Sequence, residues 1–85
     1  MNTHKIKVEE LKSLINCESY TIDHTLTICV LELTCGYKVV GHSSCLNPAD
    51  FDKKIGEKVS YDNAFDQLWA LEGYFRKRKE ELREC

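Results

Sequence analysis

The chain has 85 residues, of which 42% are hydrophobic and 31% charged, with only one Pro and four Gly. That length allows one domain over residues 1–85 and one core, with a stability of roughly 4–13 kcal/mol from per-residue averages, and the composition excludes a disordered chain. The net charge of −2 is evenly spread: residues 1–45 carry four Lys/Arg against five Asp/Glu, and residues 46–85 carry eight against nine, so neither half is a polycationic arm for nucleic acid.

The first residues reach Glu9-Glu10 before any apolar run, so no secretory leader is expected, and no apolar run approaches the ~18–20 residues of a membrane span. A cytoplasmic location without a membrane partner is the corresponding expectation. Five cysteines is an odd number and none forms a Cys-x-x-Cys pair, which favours reduced thiols over a disulfide framework. Cys29 reads as a small buried hydrophobe and Cys85 as a solvated chain end.

In chain order, Val8, Leu11, Leu14 and Ile15 recur at helical spacing and predict a short amphipathic helix over about residues 6–16. Alone it would be marginal, so it must dock on the rest of the domain. Glu18 to Ile22 alternates with β-favouring residues and predicts a strand, closed by turn chemistry at Asp23-His24. Thr25 to Thr34 is the strongest strand, with Leu26, Ile28 and Val30 on one side and Cys29, Leu31 and Leu33 on the other. Both sides are apolar, which asks for cover by a helix on one face and by a partner subunit on the other.

Cys35-Gly36 fits a two-residue hairpin loop, returning Tyr37 to His42 as the paired strand. That loop places Leu31 opposite Val40, Val30 opposite Gly41 and Cys29 opposite His42. Gly41 within a strand predicts a bulge or the close approach of another element, with the long helix as the candidate. Asn47-Pro48 is a helix start, Asn as N-cap, Pro at the first helical position and Asp50 in the first turn. Gly56 predicts a bend between a short helix to Ile55 and a longer one. From Tyr61 the apolar positions 61, 64, 65, 68, 71, 75 and 82 build one helical face that must be covered.

Several of these segments together resemble a known family. They are Thr27 to Val30, the turn at Gly36, Val39-Val40-Gly41-His42-Ser43-Ser44-Cys45, Asn47-Pro48-Ala49-Asp50-Phe51-Asp52, Ile55-Gly56 and above all Leu68-Trp69-Ala70-Leu71-Glu72-Gly73-Tyr74. The chain resembles the gene product 49 / gene 66 family of small tailed-phage proteins over roughly residues 25–75. The resemblance implies a phage or prophage protein acting in a bacterial cytoplasm, and carries no established catalytic residues and no cofactor.

Candidate chemistry is sparse. Cys29 beside His42 would make a thiolate–imidazole pair, but no oxyanion-hole motif accompanies it and packing is the favoured reading. His24, Cys29, His42 and Cys45 form a conceivable zinc set that lacks paired knuckles, so no metal is expected. Arg76-Lys77-Arg78-Lys79 could touch phosphates, yet Glu80 and Glu81 follow at once and cations there complement the helix dipole. Asp50, Asp52, Asp62 and Asp66, with Glu57 and Glu72, add an acidic surface that could imitate a phosphate backbone, although a solvated face is the favoured reading. Trp69 and Tyr74 either seal the core or anchor an interface, and for Trp69 the core is favoured.

The expectation is therefore an α+β fold: a short N-terminal helix, a small antiparallel sheet of about three strands, and a long C-terminal helix, bent near Gly56, across the sheet. The functional expectation is a non-enzymatic phage accessory protein, without cofactor, that binds and inhibits or modulates a bacterial host protein. An anti-defence target such as a CRISPR effector is its sharpest form. Asp50, Asp52, Asp62, Asp66, Trp69, Glu72, Tyr74, Arg76, Lys77 and Arg78 are the candidate partner-binding residues, and homodimerisation through the second sheet face is a linked expectation. A Cys/His zinc or thiol protein and a nucleic-acid-binding accessory protein are the alternatives.

Overall fold

The computed structural model describes residues 6–84, so Cys85 lies outside it. The elements run α1 (Val8–Lys12), β1 (Ile15–Asp23), β2 (Leu26–Leu33), β3 (Lys38–Ser44) and α2 (Lys53–Glu84), with a 3-10 turn at Pro48–Asp50. The strands form one antiparallel sheet in the order β1-β2-β3, and α2 packs across β3 and β2. This is the expected α+β arrangement of short helix, three strands and long covering helix.

The first helix is shorter than its apolar spacing predicts. Ser13 ends it, its backbone N–H donating to the Glu9 carbonyl at 3.1 Å and its hydroxyl to the Glu10 carbonyl at 2.6 Å. The Leu14 carbonyl then accepts the Thr34 N–H at 2.8 Å, and Ile15 already pairs with Leu33. Leu11, fully buried, is thus the helix's core residue, while Leu14 and Ile15 belong to the turn and the sheet. β1 extends beyond Glu18–Ile22 at both ends, with its pairing interrupted between Ile15 and Cys17 by a bulge. The β1–β2 loop is His24-Thr25, with His24 at φ +56°, the left-handed region that His tolerates better than branched residues.

The second hairpin corrects the predicted register. Its loop is the three residues Thr34, Cys35 and Gly36: the Leu33 N–H donates to the Tyr37 carbonyl and the Gly36 N–H to the Leu33 carbonyl, both at 2.8 Å. Gly36 sits at φ +94°, the left-handed position that ends such a three-residue loop. The extra loop residue moves every pair by one, so Leu31 faces Val39, Val30 faces Val40, Cys29 faces Gly41 and Ile28 faces His42. A slip of one residue sends each β3 side chain to the opposite face. Val39 and Gly41 therefore point into the core, and Val40 and His42 point away from it.

Gly41 is where the helix touches the sheet. A Cβ at that position would collide with the Ser60 carbonyl and the Ala64 backbone, with the Ala64 Cα at 2.8 Å. The close approach read from the sequence is thus made by α2. The core gathers around this crossing: Ile6, Leu11, Cys29, Leu31, Leu33, Val39, Ala64 and Leu68, bordered by the half-buried Leu14, Ile15, Tyr20, Tyr61 and Phe65.

Asn47 accepts the Ala49 N–H at 3.0 Å as expected, but it caps only the 3-10 turn. The cap of α2 is Asp52, whose Oδ1 accepts the N–H groups of Lys54 at 2.9 Å and Ile55 at 3.4 Å. The interruption therefore falls at Phe51-Asp52, and α2 runs unbroken through Gly56 and Gly73 rather than dividing near Gly56. Gly56 serves packing instead. A Cβ there would lie 2.5 Å from Thr27 Oγ1, so its absence lets the helix close over a fully buried threonine.

The Thr27 hydroxyl has no hydrogen-bond partner among the described residues. A buried polar group in that state costs about 1–3 kcal/mol. Thr27→Val, which keeps the branched shape and removes the hydroxyl, is expected to raise stability by about 1 kcal/mol in urea unfolding. A loss of stability on that substitution would show that the hydroxyl is satisfied.

Candidate functional site

The sheet has one covered and one open face. Burial alternates strictly along β2: Thr27, Cys29, Leu31 and Leu33 are buried under the helix, while Leu26, Ile28, Val30 and Glu32 are only partly covered. The pairing carries this across the sheet, so that Ser19, Val30 and Val40 form one row and Thr21, Ile28 and His42 the next. Leu26, Ile28, Val30 and Val40 thereby make a continuous apolar centre, and Val40 is 44% exposed. Asp23, His42 and Ser44 rim one end, and Cys17, Glu32 and Lys38 the other. Among the described residues no element covers this face.

Val40 is the residue that sequence reasoning missed at this surface, because a two-residue loop turns it inward. The signal was available: Gly36 following Thr34-Cys35 suits a three-residue loop whose last residue is left-handed.

The Cys/His constellation does not assemble. Cys29 is fully buried on the helix side of β2, whereas His42 lies on the open face opposite Ile28. Burial pushes the Cys29 thiol above its usual range, an effect that the neighbouring Tyr20 hydroxyl opposes in part, and burial likewise raises the Tyr20 phenol. A nucleophilic thiol needs the opposite shift. His24 sits exposed in the β1–β2 loop, and Cys45 donates its S–H to the Asn47 carbonyl at 3.1 Å. No group of three or more His, Cys, Asp or Glu among the described residues is placed to hold a metal ion.

The candidate residues of the helix divide in two. Asp50 lies in the 3-10 turn, Asp52 is the cap of α2, Asp62 is paired with Lys58 at 3.0 Å, and the exposed Asp66 follows Asp62 four residues further along the same helix. Further along, Arg76 binds Glu72 at 2.9 Å and reaches Glu10 of α1 at 3.3 Å. The Glu72 bond, then the Glu10 bond, raise the Arg76 guanidinium further, against a lowering by desolvation. Arg76 therefore ties α1 to α2. Arg78 pairs with Glu81 at 2.9 Å, and Lys77 and Tyr74 line the same exposed stretch of helix.

Trp69 is 39% exposed and stands edge-on to Phe65, with ring centroids 6.2 Å apart, so it flanks the core rather than filling it. Tyr61 stacks on the other side of Phe65 at 6.0 Å. Past Leu68 the apolar face of α2 leaves the sheet: Leu71, Phe75 and Leu82 are 41%, 56% and 64% exposed. The helix is simply longer than its support. Its 32 residues span about 48 Å at 1.5 Å per residue, whereas a seven- to nine-residue strand reaches only about 23–31 Å.

The family model described as the phage protein (N4 Gp49/phage Sf6 gene 66) family matches residues 6–80. The chain belongs to this family. The N4 Gp49/Sf6 gene 66 match reaches well beyond residues 25–75, taking in α1, the whole of β1 and most of α2, so both the open sheet face and the exposed helix stretch lie almost wholly within it. No curated protein and no solved structure matches the chain. Among the described residues, no helix is long and apolar enough to cross a membrane.

Proposed function

We propose that this member of the N4 Gp49/Sf6 gene 66 family is a non-enzymatic accessory protein that binds a bacterial host protein in the cytoplasm, with a defence nuclease of the CRISPR-effector class as its target. The observation that carries this reading is the open sheet face. Leu26, Ile28, Val30 and Val40 form an apolar centre within a polar rim, the layout of a protein-binding patch. Membership of a phage family supports a partner in the infected cell. The mode of binding would be apolar docking rather than imitation of a phosphate backbone, because Asp52 and Asp62 already serve a cap and an ion pair.

The test is interference in a bacterial host carrying a defined CRISPR nuclease. Expression of the protein is expected to restore plaque formation by a targeted phage, and Val30→Lys or Val40→Lys is expected to abolish the protection while leaving the fold intact. Equal plaquing with and without the protein would reject the anti-defence target. Full protection by both Lys variants would reject the sheet face as the binding surface.

A further inference from the structure

The face of α2 that grips the sheet continues beyond it in the same heptad frame. Tyr61, Leu68, Phe75 and Leu82 recur every seven residues, and Ala64, Leu71 and Arg78 follow three places after the first three of them. These are the two seam positions of a coiled coil. Ala64 and Leu68 spend the seam on the sheet, where both are buried, but Leu71, Phe75 and Leu82 present it to solvent. Arg78, the one charge on the seam, is also exposed.

We propose that the occupant of this exposed seam is a second copy of the same helix, packed antiparallel. The charges decide the direction. In a parallel pair each Arg78 would meet the partner's Arg78 at the centre of the contact, a like-charge approach. In the antiparallel pair Leu71 meets the partner's Leu82, and Arg78 meets the partner's Phe75, whose ring already draws a cation: Lys79 Nζ lies 6.0 Å from its centroid. Residues flanking the seam then match as well. Glu72 comes beside the partner's Lys79, and Tyr74 comes beside the partner's Glu81, each contact occurring twice by symmetry.

The charged groups around the seam remain compatible with this pairing. Arg78 is held by Glu81 within its own helix at 2.9 Å, and both are more than half exposed, so either can turn to the partner. Glu72 keeps its 2.9 Å bond to Arg76, and with its side chain 19% exposed it meets the partner's Lys79 only at its edge. The overlap covers about three to four turns, a small contact that places the dimer at the weak end of specific interfaces.

The proposal does not depend on the sheet-face reading, because the two surfaces lie on different elements and their variants report separately. Light scattering of the full chain across about 1–200 µM is expected to show the mass rising from 9.9 kDa toward twice that value. Leu82→Lys and Phe75→Asp are each expected to raise the dissociation constant about tenfold or more, with thermal unfolding in dilute solution unchanged. Lys79→Glu weakens association, and mixing it with Glu72→Lys restores a mixed dimer. Val40→Lys leaves dimerisation intact. A constant 9.9 kDa mass at the highest concentration would overturn the proposal. So would loss of the dimer in Val40→Lys with retention in Leu82→Lys, which would place the contact on the open sheet face instead.

Discussion

Gly41→Ala is expected to cost about 3 kcal/mol or more, a large part of the roughly 4–13 kcal/mol available to a domain of this size. The added methyl has nowhere to go. It would meet the Ser60 carbonyl and the Ala64 backbone, and neither can move unless the whole helix lifts from β3. Lifting α2 would uncover Val39, Leu31 and Leu68 together, so the penalty is shared by the core rather than confined to one contact. For a domain of 85 residues that loss lowers the melting temperature by roughly 12–24 °C. Gly73→Ala is the matched comparison. Among the described residues its Cβ would meet only Ile6 Cδ1, at an ordinary 3.8 Å, so the gain in helix propensity of about 0.5–1 kcal/mol is expected to appear as stabilisation. Thermal melts of the two variants should therefore move in opposite directions, and a Gly41→Ala melt within a few degrees of the parent would refute the close crossing.

Leu68→Ala and Leu82→Ala make the second contrast. The two residues share a position of the heptad, but one is 2% exposed and the other 64%. Removing the Leu68 side chain leaves a cavity between α2 and the sheet, for which about 2–5 kcal/mol is the ordinary range. Removing that of Leu82 should change the stability of the dilute chain by no more than about 0.5 kcal/mol, since most of that side chain is in solvent. Urea unfolding at low protein concentration measures both. Equal losses would mean that the far end of α2 is covered after all.

Local patterns were legible where a residue's neighbours in sequence are also its determinants. Asn47 caps its turn and Pro48 opens it because a side-chain oxygen and a fixed φ act on the next two residues. The alternation along β2 announced two apolar faces before either was seen. Misreadings arose where two rules competed for one residue. Ile15 fits a helical stripe and a strand equally well, and its pairing with Leu33 decided for the strand. Cys35-Gly36 fits two loop lengths, and the choice between them reversed the faces of Val40 and His42, dissolving the Cys29–His42 pair.

The sequence alone therefore determined the kinds of elements, their order, the covering role of the long helix and the need for a small residue where that helix crosses the sheet. These follow from periodicity and backbone sterics, which act over a few residues. Only the tertiary structure decided which apolar residues are covered, because coverage depends on the relative lengths of elements that never touch in sequence. The same stripe of α2 is core at Leu68 and surface at Leu82 for no reason intrinsic to leucine: the sheet ends between them.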